Sequence, residues 1–145
     1  DYWMFREFGT EKAEFGPVVE RAMGWLRRED LGPLVESVEC VNWNPVRYVL
    51  IGIYARMIER WLAVWPREQC LFLLTEEFSA TRAETLERVQ KHLGLAVREL
   101  PELPRAREGK IAELMDAGVE ARLREFYAPH NARLAEVLGR ELPWG

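Results

Sequence analysis

One stretch, QCLFLLTEEF at residues 69–78, limits the fold more than any other. A continuous apolar run between a proline loop and acidic residues reads as a strand buried on both faces, and such strands belong to parallel sheets. Its neighbours in sequence read as helices. Residues 17–29 place Val18, Ala22, Trp25 and Leu26 on one face, with Pro17 in the first turn, where its missing N–H costs nothing. Residues 47–65 repeat Leu50, Tyr54, Met57, Ile58, Trp61, Leu62 and Trp65 at helical spacing until Pro66, with Arg56, Glu59 and Arg60 on the other side. Residues 81–92 carry Leu86 and Val89 towards Leu93, with Thr81 and Glu84 at capping-box spacing and Gly94 as the C-terminal cap. Helix, strand and helix joined by short links predict an α/β domain. A single parallel strand cannot make a sheet, so its neighbours are expected from outside this segment or from a weak candidate such as 38–43. Residues 1–145 are therefore expected to form one partial domain, helix-rich with one clear buried parallel strand.

Two helices are expected to close the chain. Residues 119–127 bury Leu123, Phe126 and Tyr127, and residues 129–138 bury Leu134, Val137 and Leu138 before Gly139. Pro129 would start the second, with Asn131 near enough to its start to satisfy free N–H groups, so FYAPHN reads as a corner that anchors the last helix.

Composition excludes some functions. The net charge of -4 and pI of about 5.4 argue against nucleic-acid binding through the overall field, which needs many cations on phosphates, so any anion site must be local. The longest mostly apolar run, 48–65, is interrupted by Arg56, Glu59 and Arg60 and falls short of the roughly 20 apolar residues of a membrane span. Cys40 and Cys70 are too few for a disulfide framework and lack metal-ligand spacing. Free buried thiols are the simpler reading of both, a mutual disulfide the alternative. The chain opens at Asp1, so a mature domain, an expressed piece and an internal fragment all remain open.

Catalytic motifs are scarce. No HExxH, CxxC pair, GxSxG or GxxxxGK[ST] occurs. His92 ends a helix, where a protonated ring suits the dipole, and His130 has no acid or nucleophile beside it in sequence. Glu76 and Glu77 sit where open α/β sheets place ligands, a position for a general base or equally for a helix-capping carboxylate. Arg105, Arg107 and Lys110 gather three cations in an irregular loop over 95–110, suited to an anion clamp and equally to a solvated basic loop.

Taken together, GIYARMIERWLAVWPREQCLFLLTEEFSATRAETLERVQKHLGL and LREFYAPHNARLAEVLG resemble the C-terminal half of Golgi-type carbohydrate sulfotransferases, above all those of the chondroitin and heparan type. The order of motifs carries the resemblance. Gly52 and Tyr54 precede a Trp61-Leu62 helix; Trp65, Pro66 and Gln69 form the turn into the expected strand, and Glu76 marks its end. Leu93 to Leu95 close the next helix, and the FY-x-P-x-N pattern of Phe126, Tyr127, Pro129 and Asn131 runs to Leu138-Gly139. The resemblance implies a P-loop-like α/β fold, a Golgi lumen location and transfer of a sulfuryl group, without a metal, from 3'-phosphoadenosine 5'-phosphosulfate to a carbohydrate hydroxyl.

It also implies what this sequence lacks. The family's phosphosulfate loop, its 3'-phosphate Arg and Ser pair, and its usual catalytic carboxylate lie upstream of the matching segment; DYWMFREFG looks like what directly follows that pair. No catalytic residue can be carried over. The chain is expected to be inactive alone and to need the upstream half of the domain, in the same or another chain. The loop before the Phe-Tyr corner, where the family closes a Gly- and Lys/Arg-rich segment over the nucleotide, corresponds to Arg105, Arg107, Gly109 and Lys110, without the cysteine pair the family often has there. These four are the expected cofactor-binding residues. A non-enzymatic binding or structural module on the same scaffold is the alternative.

Overall fold

A computed structural model of the chain describes residues 14–27, 46–101 and 115–144. The chain divides into two compact units, Asp1–Arg60 with Glu113–Gly145, and Trp61–Ala112. Six α-helices lie among the described residues: α1 (Phe15–Leu26), α2 (Val46–Leu50), α3 (Tyr54–Val64), α4 (Thr75–Ala80), α5 (Arg82–His92) and α6 (Ala117–Leu138).

The first unit holds the core. The stripe expected on α1 is present: Val18, Ala22 and Leu26 are buried, joined by Val19 and Met23. Val46, Val49 and Leu50 of α2, Ile53, and Val119 and Phe126 of α6 close around the α1 residues in one cluster, with Trp25, Leu123 and Tyr127 packed on its edge. Burying each such side chain stabilises by about 1.5–3 kcal/mol, which is why three short apolar stripes suffice to bring these helices together. Asp116 caps α6, its Oδ1 accepting the Val119 N–H at 3.0 Å. At the other end Gly139 takes φ +68°, and the N–H groups of Gly139 and Arg140 return to Glu136 and Ala135. That left-handed closure is what a glycine cap is for.

Two expectations fail here. The chain does not turn at Pro129: α6 is one helix of 22 residues with the proline inside it. Pro129 cannot donate to the Glu125 carbonyl, but both residues are exposed, so water takes the orphaned oxygen and the helix survives. Asn131 lies in mid-helix and caps nothing. The expected single helix over 47–65 is in turn two helices, broken at residues 51–53, where the N–H groups of Gly52, Ile53 and Tyr54 bond to Val49, Leu50 and Gly52.

The second unit begins inside α3, between Arg60 and Trp61. Pro66 does stop the helix, and a 3-10 turn at Arg67–Gln69 follows. The expected buried strand is not found: among the described residues there is no strand, Cys70 and Leu74 are extended with no regular structure between them, and Thr75–Ala80 is helical. The acidic pair explains the switch. Glu76 and Glu77 fall in the first turn of α4, where the dipole favours carboxylates, and Glu77 Oε2 accepts the Leu74 N–H at 3.4 Å. Thr81 does not form the expected capping box; its hydroxyl donates backwards to the Glu77 carbonyl at 3.1 Å. Gly94 closes α5 as expected, at φ +68°, with Gly94 and Leu95 N–H groups bonded to Lys91 and Gln90. Beyond it, the Gln90 side chain pins the chain by a pair of hydrogen bonds to the Arg98 backbone, at 2.9 and 3.1 Å.

Two variants separate a continuous α6 from a corner. Phe126→Ala is expected to cost ~3 to 5 kcal/mol by urea denaturation, because the ring is buried in the cluster. Pro129→Ala is expected to raise stability by about 1–3 kcal/mol, restoring an N–H and removing the ring clash; a loss instead would mean that the proline locks the helix.

Candidate functional site

The polar groups of FYAPHN meet the break between α2 and α3. The Tyr127 hydroxyl, half-way along α6, donates to the Val49 carbonyl at 2.7 Å. Gly52 permits this approach: a Cβ there would lie 2.5 Å from the Tyr127 oxygen and 2.8 Å from its ring. Helix spacing sets Phe126 into the core while Tyr127 turns to the break, the two rings meeting edge to face at 5.3 Å. Burial, with Tyr54 as a lesser cause, pushes the Tyr127 phenol up to about 12. It stays protonated at neutral pH, a donor fixed on a backbone oxygen and not a base.

His130 lies one turn on. Its ring sits 5.3 Å from Phe126 and lines an open pocket of about 540 Å³ with Leu26, Arg27, Arg122, Glu125 and Pro129. Burial first, then the Arg56 charge, lower its pKa from the ordinary imidazole value and favour the neutral ring. Arg27 stacks over Phe126 at 5.9 Å, and Arg122 is paired with Glu20 of α1. Lower on α6, Arg133 bonds Glu59 of α3 at 2.6 and 2.8 Å. Among the described residues no hydrogen bond joins His130 to a carboxylate or hydroxyl. The arrangement anchors helices and offers no acid, base and nucleophile in contact.

The other sequence candidates have local roles where they are described. Glu77 is the α4 capping carboxylate and lies 3.6 Å from Arg88; His92 ends α5 as expected, Nε2 at 3.3 Å from the Gln69 carbonyl oxygen. Cys70 is a free thiol. Arg105, Arg107, Gly109 and Lys110, like Cys40 and residues 38–43, lie outside the described residues. Among the described residues, no group of three or more His, Cys, Asp or Glu could hold a metal, and no helix is long and apolar enough to cross a membrane.

The residues that meet at the break, Gly52 and Tyr127, are those that carried the resemblance, and comparison with known proteins identifies the same relatives. Heparan sulfate glucosamine 3-O-sulfotransferase 3B1 of Homo sapiens is 30% identical over 126 residues, 71% of this chain and 32% of its own length. Carbohydrate sulfotransferase 15 of Mus musculus is 32% identical over 110 residues, 69% of this chain and 19% of its own. The chain is a homologue of the carbohydrate sulfotransferases. No family model matches it. A crystal structure of a sulfotransferase from Alicyclobacillus acidocaldarius superposes with a TM-score of 0.71 at 22% identity, over 99% of this chain and 50% of that one. The fold is thus that of a sulfotransferase, and the chain spans only a third or less of these two curated relatives.

The residues that carried the resemblance take scaffold roles: Gly52 and Tyr127 close a helix break, Pro66 ends a helix, and Gly94 and Gly139 cap two more. The spacing of GIY and FYAP gave no sign that the two would touch, because they lie 75 positions apart, 127 against 52. Gly52→Ala is expected to cost ~1 to 3 kcal/mol by overpacking, and Tyr127→Phe about 0.5–1.5 kcal/mol for the lost hydrogen bond. The double variant should depart from additivity, since one change acts on the other's contact. With the folded phenol raised above its unfolded value, its contribution is full below pH 10 and is lost as pH rises towards 12. Thermal melts of wild type across that window should fall more steeply than those of Tyr127→Phe.

Proposed function

We propose that this chain is part of an enzyme that transfers a sulfuryl group from 3'-phosphoadenosine 5'-phosphosulfate to a carbohydrate hydroxyl, in the Golgi lumen. The observation that supports it most is the agreement of a 30% identity to a heparan sulfate sulfotransferase with a sulfotransferase fold. Transfer in line needs a base on the acceptor hydroxyl and cations on the phosphates and the leaving oxygen. This chain contributes the second kind. Arg105, Arg107 and Lys110 supply the charge, and the Gly109 backbone N–H lies beside them in sequence to donate to a phosphate oxygen. The base and the rest of the nucleotide site come from polypeptide outside this sequence, and the chain alone has no activity.

A second reading, a non-enzymatic module that kept the scaffold, has one observation in its favour: Gly52, Tyr127, Gly94 and Gly139 shape a helix break and helix caps. Calorimetry with 3'-phosphoadenosine 5'-phosphate on the intact protein distinguishes the two. Arg107→Ala with Lys110→Ala should weaken binding by about 1.5–3 kcal/mol for each charged hydrogen bond removed. Unchanged affinity would sink the loop assignment, and no binding by wild type would leave the scaffold.

A further inference from the structure

We infer that His130 is an acid-sensitive latch: a proton on its ring releases the middle of α6 from α1 and α3, and with it the Tyr127 closure of the helix break. The inference rests on the packing of the first unit and not on the sulfuryl-transfer reading.

The ring stands where an added charge has little to meet it. It is part-buried, its centroid 5.3 Å from that of Phe126, which belongs to the core. From the end of α1, Arg27 lies over the same Phe126 ring and lines the same pocket. From α3, Arg56 presents its charge to the imidazole. On α6 itself, Arg122 comes about two turns before and Arg133 three positions after. The nearby acids are mostly engaged: Glu20 holds Arg122, while Glu59 and Glu136 hold Arg133. Glu125 is the carboxylate in the pocket wall, and among the described residues it makes no hydrogen bond to the ring. Phe126 could attract a cationic imidazole through its face, but Arg27 already stands over it. A neutral ring therefore fits this place, and a charged one would sit part-desolvated beside Arg27 and Arg56.

Proton uptake and departure of the ring thus become one equilibrium. With the folded value held below the ordinary 6.5, the contribution of the packed ring is complete above pH 6.5 and is lost as pH falls from there through the folded value. The release reaches further than one side chain. Phe126, Tyr127 and His130 fall within about one turn of α6, Phe126 filling the core and Tyr127 donating to the Val49 carbonyl. A helix moves as a unit, so α6 cannot withdraw at His130 without drawing on the two residues that hold the core and the break. The charge changes at His130, and the element it biases is the α2 to α3 break.

The test follows the His130 ring by NMR through a pH titration, its signal identified by contacts with the Phe126 ring protons and by its loss in His130→Gln. A midpoint below 6.5 is expected, and it should rise in Arg56→Gln, which removes a like charge. Amide protection at Gly52, Ile53 and Tyr54 should fall several-fold between about pH 7.5 and about pH 5 in wild type, and stay level in His130→Gln, which takes up no proton there. A midpoint at or above 6.5 would overturn the inference, since Glu125 or another acceptor would then be receiving the charged ring. So would a midpoint indifferent to Arg56→Gln, or protection at the break that falls equally in wild type and His130→Gln. Where His130→Gln folds poorly, the wild-type midpoint and its response to Arg56→Gln still decide.

Discussion

The contact of Tyr127 with the α2 to α3 break is the constraint on which the first unit depends. The break changes the partners of its backbone groups, and the Val49 carbonyl, which accepts the Gly52 N–H, takes a second hydrogen bond from α6. Tyr127 puts its hydroxyl on the Val49 carbonyl, and only a residue without a side chain at position 52 lets the ring come so close. Because Tyr127 and Phe126 are adjacent on α6, the same helix that closes the break also fills the core beside Met23 and Val49. Polar and apolar requirements are met by neighbouring positions, so neither can shift without the other. The ion pairs flanking α6, from Arg122 to Glu20 and from Arg133 to Glu59, lie on exposed side chains. They orient the helix and add little stability.

What could be read in advance followed from local rules. The Val18, Ala22 and Leu26 stripe, the stop at Pro66 and the glycine caps at 94 and 139 depend on spacing or on one residue's backbone freedom. The misreadings came where a local rule was overruled by surroundings. A mid-helix proline is disfavoured, yet Pro129 stands where water can serve the abandoned Glu125 carbonyl. The apolar stripe on 47–65 promised an unbroken helix, but of its seven members only Leu50 is buried. A periodic pattern shows which face is apolar and not what will cover it.

The candidate site divides along the same line. Residues that identify the family, Gly52, Tyr54, Phe126 and Tyr127, are legible as a pattern because helix breaks and core contacts admit few alternatives. Their mutual contact was not legible, because nothing local links position 52 to 127. The cations expected to meet the nucleotide, Arg105, Arg107 and Lys110, are the reverse: an irregular loop fixes neither their spacing nor their direction, so their chemistry was argued from type and place in the motif order alone.

The segment 70–74 shows how far such a pattern depends on company. Cys-Leu-Phe-Leu-Leu is apolar at every position, which suits a strand covered on both faces and suits nothing exposed. A helix here would need a single apolar side, and a solvent-facing strand would need alternation. Among the described residues the segment has no ladder, its ends at Cys70 and Leu74 are extended, and the chain turns helical as soon as Thr75 and the two glutamates allow. Strand formation is a property of pairs of segments, so an apolar run by itself does not make a strand.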